Sequence, residues 1–303
     1  RSGDLDFDEV FADPVSGKVL GTREYGAAIF SRANIIPLIY IFHYSLKLPL
    51  VWGMLLMGGV ACVWAIDCFF GFALTIPRGR WRKWAVAWRV KTGAGTYRLN
   101  LDLHRAGGLW LWLLLFMMAV SGIALNLNEQ VFRPLLGSIV KLSPSPLEIA
   151  AARPRSKAGA ATVSFDRAIA RARSSVHGEF TPRLIFHVAE YGAYGVGYSR
   201  AGEDGENGLG NSYVYVDDRT GAVVAREAMG EGTPGDVFAQ AQFPLHSGRI
   251  IGLPGRVLIA LLGLCVAGLS VTGVYIWARK SHWFARSRRK AVTRKAIGGP
   301  VTE

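Results

Sequence analysis

The sequence has little of what soluble enzymes usually display. It holds three cysteines among 303 residues, and charged side chains make up 19% of it. Cys62, Cys68 and Cys265 all fall in apolar runs, where a thiol acts as a small hydrophobe, so they form no disulfide framework. The absence of CxxCH excludes covalent c-type haem attachment. No phosphate-cradling glycine loop, nucleophile elbow or HExxH occurs. Histidine is scarce too, at six residues, so the positions of those six carry information.

What the chain does have is long apolar runs. The last, Phe243 to Lys280, reads FPLHSGRIIGLPGRVLIALLGLCVAGLSVTGVYIWARK, and Arg256 is its only charge between Leu253 and Ala278. At ~1.5 Å per residue that length crosses a hydrocarbon core ~30 Å thick. The run is also a second copy. DEVFADPVSGKVLGTRE and SYVYVDDRTGAVVARE share a turn in which Asp13 and Gly17 match Asp217 and Gly221, both offset by 204 positions. His43 matches His246 and Cys62 matches Cys265 at an offset of 203; Gly53 matches Gly255 and Gly71 matches Gly273 at 202. An offset this constant marks an internal duplication.

The net charge of +13 is concentrated in two places. Residues 77–98 hold seven Lys or Arg and no acid, and residues 279–303 hold eight and one Glu, which leaves the remainder close to neutral. Both stretches flank apolar spans instead of lying on a soluble domain, so no nucleic-acid surface is expected. The partner they imply is the lipid bilayer, with both stretches cytoplasmic under the positive-inside rule. The N-terminus and the long middle region are then outside.

Taken in order, residues 1–34 are polar to mixed, with a turn at residues 13–17 between short β-type runs. Residues 35–76 hold a lead-in helix (35–47) and a first span, Leu48 to Ile76, and 77–98 form a basic loop. A second span occupies 99–127 as one continuous helix. Residues 128–242 are the one region long enough for an independent soluble domain. There VSFDRAIARARSSV reads as an amphipathic helix, and Leu184–Ala189, Tyr194–Tyr198, Tyr213–Val216 and Ala222–Arg226 read as strands. Residues 243–280 form a lead-in segment and third span, and 281–303 a basic tail.

Three histidines stand at the mouths of spans: His43 and His246 at the outer end, His104 at the inner. A single such residue is often an interfacial histidine bonded to backbone or water. A pair duplicated in register is better explained by a shared ligand, and a low-spin electron-transfer haem takes two axial imidazoles. Gly107 and Gly108 lie three and four residues after His104 on its own helix face, leaving a flat surface for a macrocycle. Gly122, eighteen residues after His104, is expected on the same face. Close helix packing through small residues also explains the glycines, but not the histidines. Arg32, Arg105, Arg249 and Arg256 stand near the histidines and are candidates for haem propionates, with snorkelling to headgroups as the alternative. Asp67, deep in the first span, is costly there and so a functional candidate or a structural bond. His177, His187 and His282 read as surface or core residues.

The FPLHSGRIIGLPGRVLIALLGLCVAGLSVTGVYIWARK run, the DPVSGKVLG and DDRTGAVV turns, and NLDLHRAGGLW resemble the PepSY-associated transmembrane family. Within it, the chain is most similar to bacterial inner-membrane ferric-siderophore reductases of the ferrioxamine-reductase kind. The resemblance implies a membrane all-α helical bundle with three spans here and a fourth expected upstream. It adds a periplasmic α+β PepSY-like domain at 128–242 and the end of another at 1–34. It further implies two b-type haems (haem b) in the intact protein, held by histidine pairs, with His43, His104 and His246 at ligand positions. The function implied is an oxidoreductase that reduces ferric iron in a periplasmic siderophore, using an unidentified cytoplasmic electron donor. The other function classes are a membrane-tethered PepSY module that regulates a peptidase and a non-redox subunit of a transporter. The duplication also leads us to expect an upstream helix equivalent to the His104 span, carrying an export signal and a histidine that faces His104.

Overall fold

The computed structural model describes residues 6–27, 30–79, 81–153, 161–200, 202 and 205–297, without the side chains of Leu147 and of 282–297. The expected role of the His282 side chain therefore falls outside what is described. The chain begins with a hairpin, β1 (Glu9–Ala12) antiparallel to β2 (Val19–Arg23). Its turn is fixed by the Asp13 carboxylate, which accepts from the Val15 and Ser16 amides and the Ser16 hydroxyl. Gly17, at φ 68°, supplies the left-handed step that a side chain would disfavour.

The lead-in helix α1 (Ile35–Ser45) ends in two left-handed residues, Leu46 (φ 53°) and Lys47 (φ 56°), and folds back into α2 (Leu50–Thr75). This elbow is tight: a Cβ on Gly53 would collide with the backbone of Ser45. A 3₁₀ segment, Trp81–Val86, follows. The stretch expected as one helix over 99–127 is instead two, α3 (Thr96–Trp110) and α4 (Trp112–Asn126), bent by 68° at Leu111. Two causes act together. Gly107 and Gly108 weaken the turn before the break, and the two halves are drawn to different partners, α3 to α10 and α4 to α2. The Trp112 indole anchors the start of α4 by donating to the Cys68 carbonyl of α2 at 2.8 Å. The bend removes the expected common face of His104 and Gly122. Gly122 packs instead on Ala61 of α2, where an added Cβ would sit 3.4 Å away.

A π-helical turn, Asn128–Phe132, leads into α5 (Arg133–Gly137) and α6 (Pro146–Ala151). The β-sheet region follows: α7 (Phe165–Ser174) lies on an antiparallel sheet of order β3-β4-β5-β6. Its strands are β3 (Thr181–Val188), β4 (Ala193–Ser199), β5 (Ser212–Asp217) and β6 (Val223–Glu227). Alternation decides the core. Tyr194, Val196 and Tyr198 of β4 and Val214 and Val216 of β5 point to one face and bury against Ala168 and Ala172 of α7. The β5–β6 turn repeats the first hairpin, with Asp217 accepting from the Arg219 and Thr220 amides and the Thr220 hydroxyl, and Gly221 at φ 71°. The duplication seen in the residues is thus a duplication of turn chemistry.

After α8 (Pro234–Gln240) comes α9 (Gln242–Ser247), which ends at left-handed Gly248 (φ 75°) and turns into the long α10 (Leu253–Ile297). A Cβ on Gly255 would strike the backbone of Gly248, so this elbow reproduces the one at Gly53. Among the described residues, two helices, Leu50–Thr75 and Leu253–Ser281, are long and apolar enough to cross a membrane, or up to three spans if α3 and α4 count as one bent span.

Candidate functional site

The His43 and His246 rings face each other, with centroids 5.9 Å apart and planes at 49°. They come from separate helices, α1 and α9, and α4 brings them together. Asn126 near the end of α4 donates to the carbonyl of Tyr44, one residue past His43, at 3.1 Å. Ser121, fully buried on the same helix, lies 2.9 Å from His246 Nδ1. Its own hydroxyl proton is directed to the Met117 carbonyl at 2.8 Å or that of Met118 at 3.1 Å, so Ser121 accepts from His246 Nδ1–H. Nε2 of His246 is then the lone-pair nitrogen. Burial, and secondarily the neighbouring His43 ring, push the His246 imidazole down to about 4, so it stays neutral at ordinary pH. His43 is exposed and makes no hydrogen bond among the described residues.

His104, on α3, packs against the middle of α10. Its Nδ1 is 3.0 Å from the Leu269 carbonyl and 3.1 Å from the Thr272 hydroxyl. A carbonyl only accepts, so Nδ1 carries the proton and Nε2 is again left free, the arrangement metal-binding histidines use. The ring lies over Gly273, where a Cβ would come within 3.1 Å of Cε1. Gly255 and Gly273 bracket eighteen residues of α10, ~27 Å by helical rise. Of the two glycines beside His104, Gly107 faces Leu269 of α10 at 3.6 Å, whereas Gly108 borders open space.

The arginines separate in role. Arg105 is committed to protein: it pairs with Asp102 at 2.8 Å and donates to the carbonyls of Val86, Ala87 and Arg89. Arg249 lies over the Phe243 ring at 5.6 Å and donates to the Gly205 carbonyl, while its buried Nε has no partner among the described residues. Arg256 reaches the Glu206 carbonyl and Asn207. The glycine-rich loop around 205–211 therefore rests on the elbow between α9 and α10. Arg32 is exposed. Asp67 faces outward from α2 with no hydrogen bond among the described residues. His187 pairs with buried Asp218 at 2.9 Å and belongs to the sheet.

Two residues that matter were not singled out from the sequence. Asp102 is fully buried between Arg98 and Arg105; its signal is an acid with bases four residues before and three after, one helix face. Ser121 is a hydroxyl within the apolar run of α4 that precedes Asn126, and such residues bond across helices in membranes. A cleft of about 770 Å³ lies between the sheet and the helices beside it, with Arg133, Tyr198, Tyr215, Glu227 and Asp236 among its walls. Burial raises the Glu227 carboxyl and nearby Asp236 adds to the rise, against the opposing charge of Arg133. Helix α8, which lines the cleft, is followed directly by α9 and His246.

Apolar helices of spanning length, joined to a separate small sheet region, mark a membrane-integral protein. The chain belongs to the PepSY-associated TM region family, whose model matches residues 1–280. No curated protein matches the chain.

Proposed function

We propose that the protein is a bacterial inner-membrane electron-transfer oxidoreductase that reduces ferric iron held by a siderophore on the periplasmic side. The observation that carries this reading is the His43–His246 pair, two imidazoles from different helices with centroids 5.9 Å apart. Two imidazoles offered from different helices into one shared space are the pair that a low-spin haem would take as ligands. The residues fit a haem b in three further respects. Ser121 and Leu269 leave Nε2 of His246 and His104 available, Gly108 borders open space, and the orphaned Nε of Arg249 suits an acidic group.

Haem b, when bound, supplies a one-electron couple at each of two sites, one at His43 and His246 and one at His104. The protein's part is to present the imidazoles, exclude water from His246 through the α4–α9 contact, and keep the two sites about one span apart. Ferric iron has only to reach the protein over the outer site, so no pore is needed. Reduction releases the metal because hard hydroxamate oxygens favour Fe(III) over Fe(II). The 770 Å³ cleft of the sheet domain is within the range of small-molecule sites. Its mixed charge is also what favours a second reading, a PepSY module that binds a peptide segment of a peptidase without redox chemistry.

The visible spectrum of the purified protein decides between them. A Soret band with sharp α and β bands on dithionite reduction is expected, and His43→Ala or His246→Ala should lose or convert one low-spin haem. A colourless protein would overturn the redox reading.

A further inference from the structure

We propose that the ordered loop between α2 and α3 is a docking platform for a small acidic one-electron carrier protein, which supplies electrons at the His104 end. The inference rests on the electron-transfer reading above and adds the class of its donor.

The loop is built, not merely basic. The Trp84 indole donates to Thr75 at the end of α2 at 3.2 Å and stacks edge-on against Phe72. Arg105 holds the carbonyls of Val86, Ala87 and Arg89, and the Lys91 amide donates to Asp102 at 3.3 Å. Asp102, fully buried, orients Arg98 and Arg105 at once. Arg105 directly follows His104, so this clamp fixes the loop to the same turn of α3 that carries the candidate inner ligand. On the outside of the loop stand Arg78, Arg82, Lys83, Arg89 and Lys91, all exposed and without an ion pair among the described residues, with no acid anywhere in 77–98.

A one-sign patch on a rigid base is what steers transient encounters, in which small interfaces gain rate through charge more than affinity through area. Anionic lipid attracts basic segments as well, at ~1 kcal/mol per residue near the surface. Lipid attraction, however, depends on charge near the bilayer and needs no buried carboxylate to shape the backbone. The carrier's reduced group would lose one electron and a haem held at His104 would gain it; no bond forms or breaks.

Reduced flavodoxin, an acidic flavin-bearing one-electron carrier, is the probe, with the full protein in nanodiscs of zwitterionic lipid. Two readouts are taken: binding by interferometry, which does not need haem, and haem reduction by stopped flow. Binding should weaken at least tenfold between low and moderate salt, and at least tenfold in R82Q/K83Q/R89Q, with the dithionite-reduced spectrum unchanged. Salt-independent binding by the wild-type protein, or equal binding by the triple variant, overturns the platform; the wild-type arm stands if the variant does not accumulate. A deficit seen only in nanodiscs of anionic lipid assigns the charges to lipid and also overturns it. Binding without any haem signal fails the redox reading and leaves the docking surface supported, so the two failures are distinguishable.

Discussion

The hydroxyl of Ser121 and Nδ1 of His246 lie 2.9 Å apart, linking two helices separated by more than a hundred residues of chain. The bond sets which imidazole nitrogen is free, and removing such an outer partner typically costs roughly 10–100-fold in metal affinity. If the proposed haem is held by His43 and His246, Ser121→Ala should therefore release it about tenfold faster and shift its reduction potential upward, because the imidazole would donate less charge. Ser121→Thr should restore both. Unchanged potential and retention in the alanine variant would show that the hydroxyl only packs.

Asp102 is expected to matter for loop order more than for haem. Arg98 and Arg105 are partly exposed and regain water when Asp102 is lost, so the cost is ~1–3 kcal/mol; Asp102→Ala should lower the thermal midpoint and expose 82–91 to limited trypsin cleavage. Protease resistance equal to wild type would count against the clamp.

The two elbows give a matched test of the duplication. Gly53→Ala and Gly255→Ala each force a Cβ into backbone, and neither contact can relax by moving a flexible side chain. Both should accumulate poorly or unfold earlier and weaken the His43–His246 site together. Gly59→Ala, in open space on α2, should be neutral or gain up to ~1 kcal/mol in helix propensity. Wild-type behaviour of both elbow variants would mean the turns are not tight in the working protein.

Acid should loosen the junction between α8 and the chain after α5. Burial alone would raise the Asp236 carboxyl, but bonds from the Ser143 amide and hydroxyl and the Thr233 amide outweigh it and hold it at about 2. A carboxyl whose folded value is depressed stabilises the fold above its ordinary 3.8, and that contribution disappears as pH falls from there towards about 2. The effect is of order 1–2 kcal/mol after allowing for partial solvent screening. Hydrogen exchange at the Ser143 and Asp236 amides should accelerate across that window, and Asp236→Asn should flatten the change. A flat wild-type profile would contradict the assignment.

How far the chain could be read before its fold was known differs from feature to feature. The α2 and α10 spans and the paired Asp–Gly turns are visible in the residues, because hydropathy, period and turn chemistry are local properties. The four strands are visible for the same reason, with ends displaced by a few residues. The matched positions of His43 and His246 are visible through the repeat. Their facing geometry is not, since it depends on Asn126 and Ser121 of a third helix.

The sequence by itself determined that this protein is membrane-integral, internally duplicated, and furnished with histidines at the mouths of its spans. Only the tertiary structure decided that the helix over 99–127 breaks at Leu111, that Arg105 serves Asp102 and the basic loop, and which nitrogen of His104 and His246 is free. The physical reason is that apolar periodicity records how much surface an element must bury, not against what. The bend exists because α3 and α4 satisfy different neighbours, and the tautomers because a carbonyl from Leu269 and a hydroxyl from Ser121 arrive from distant parts of the chain.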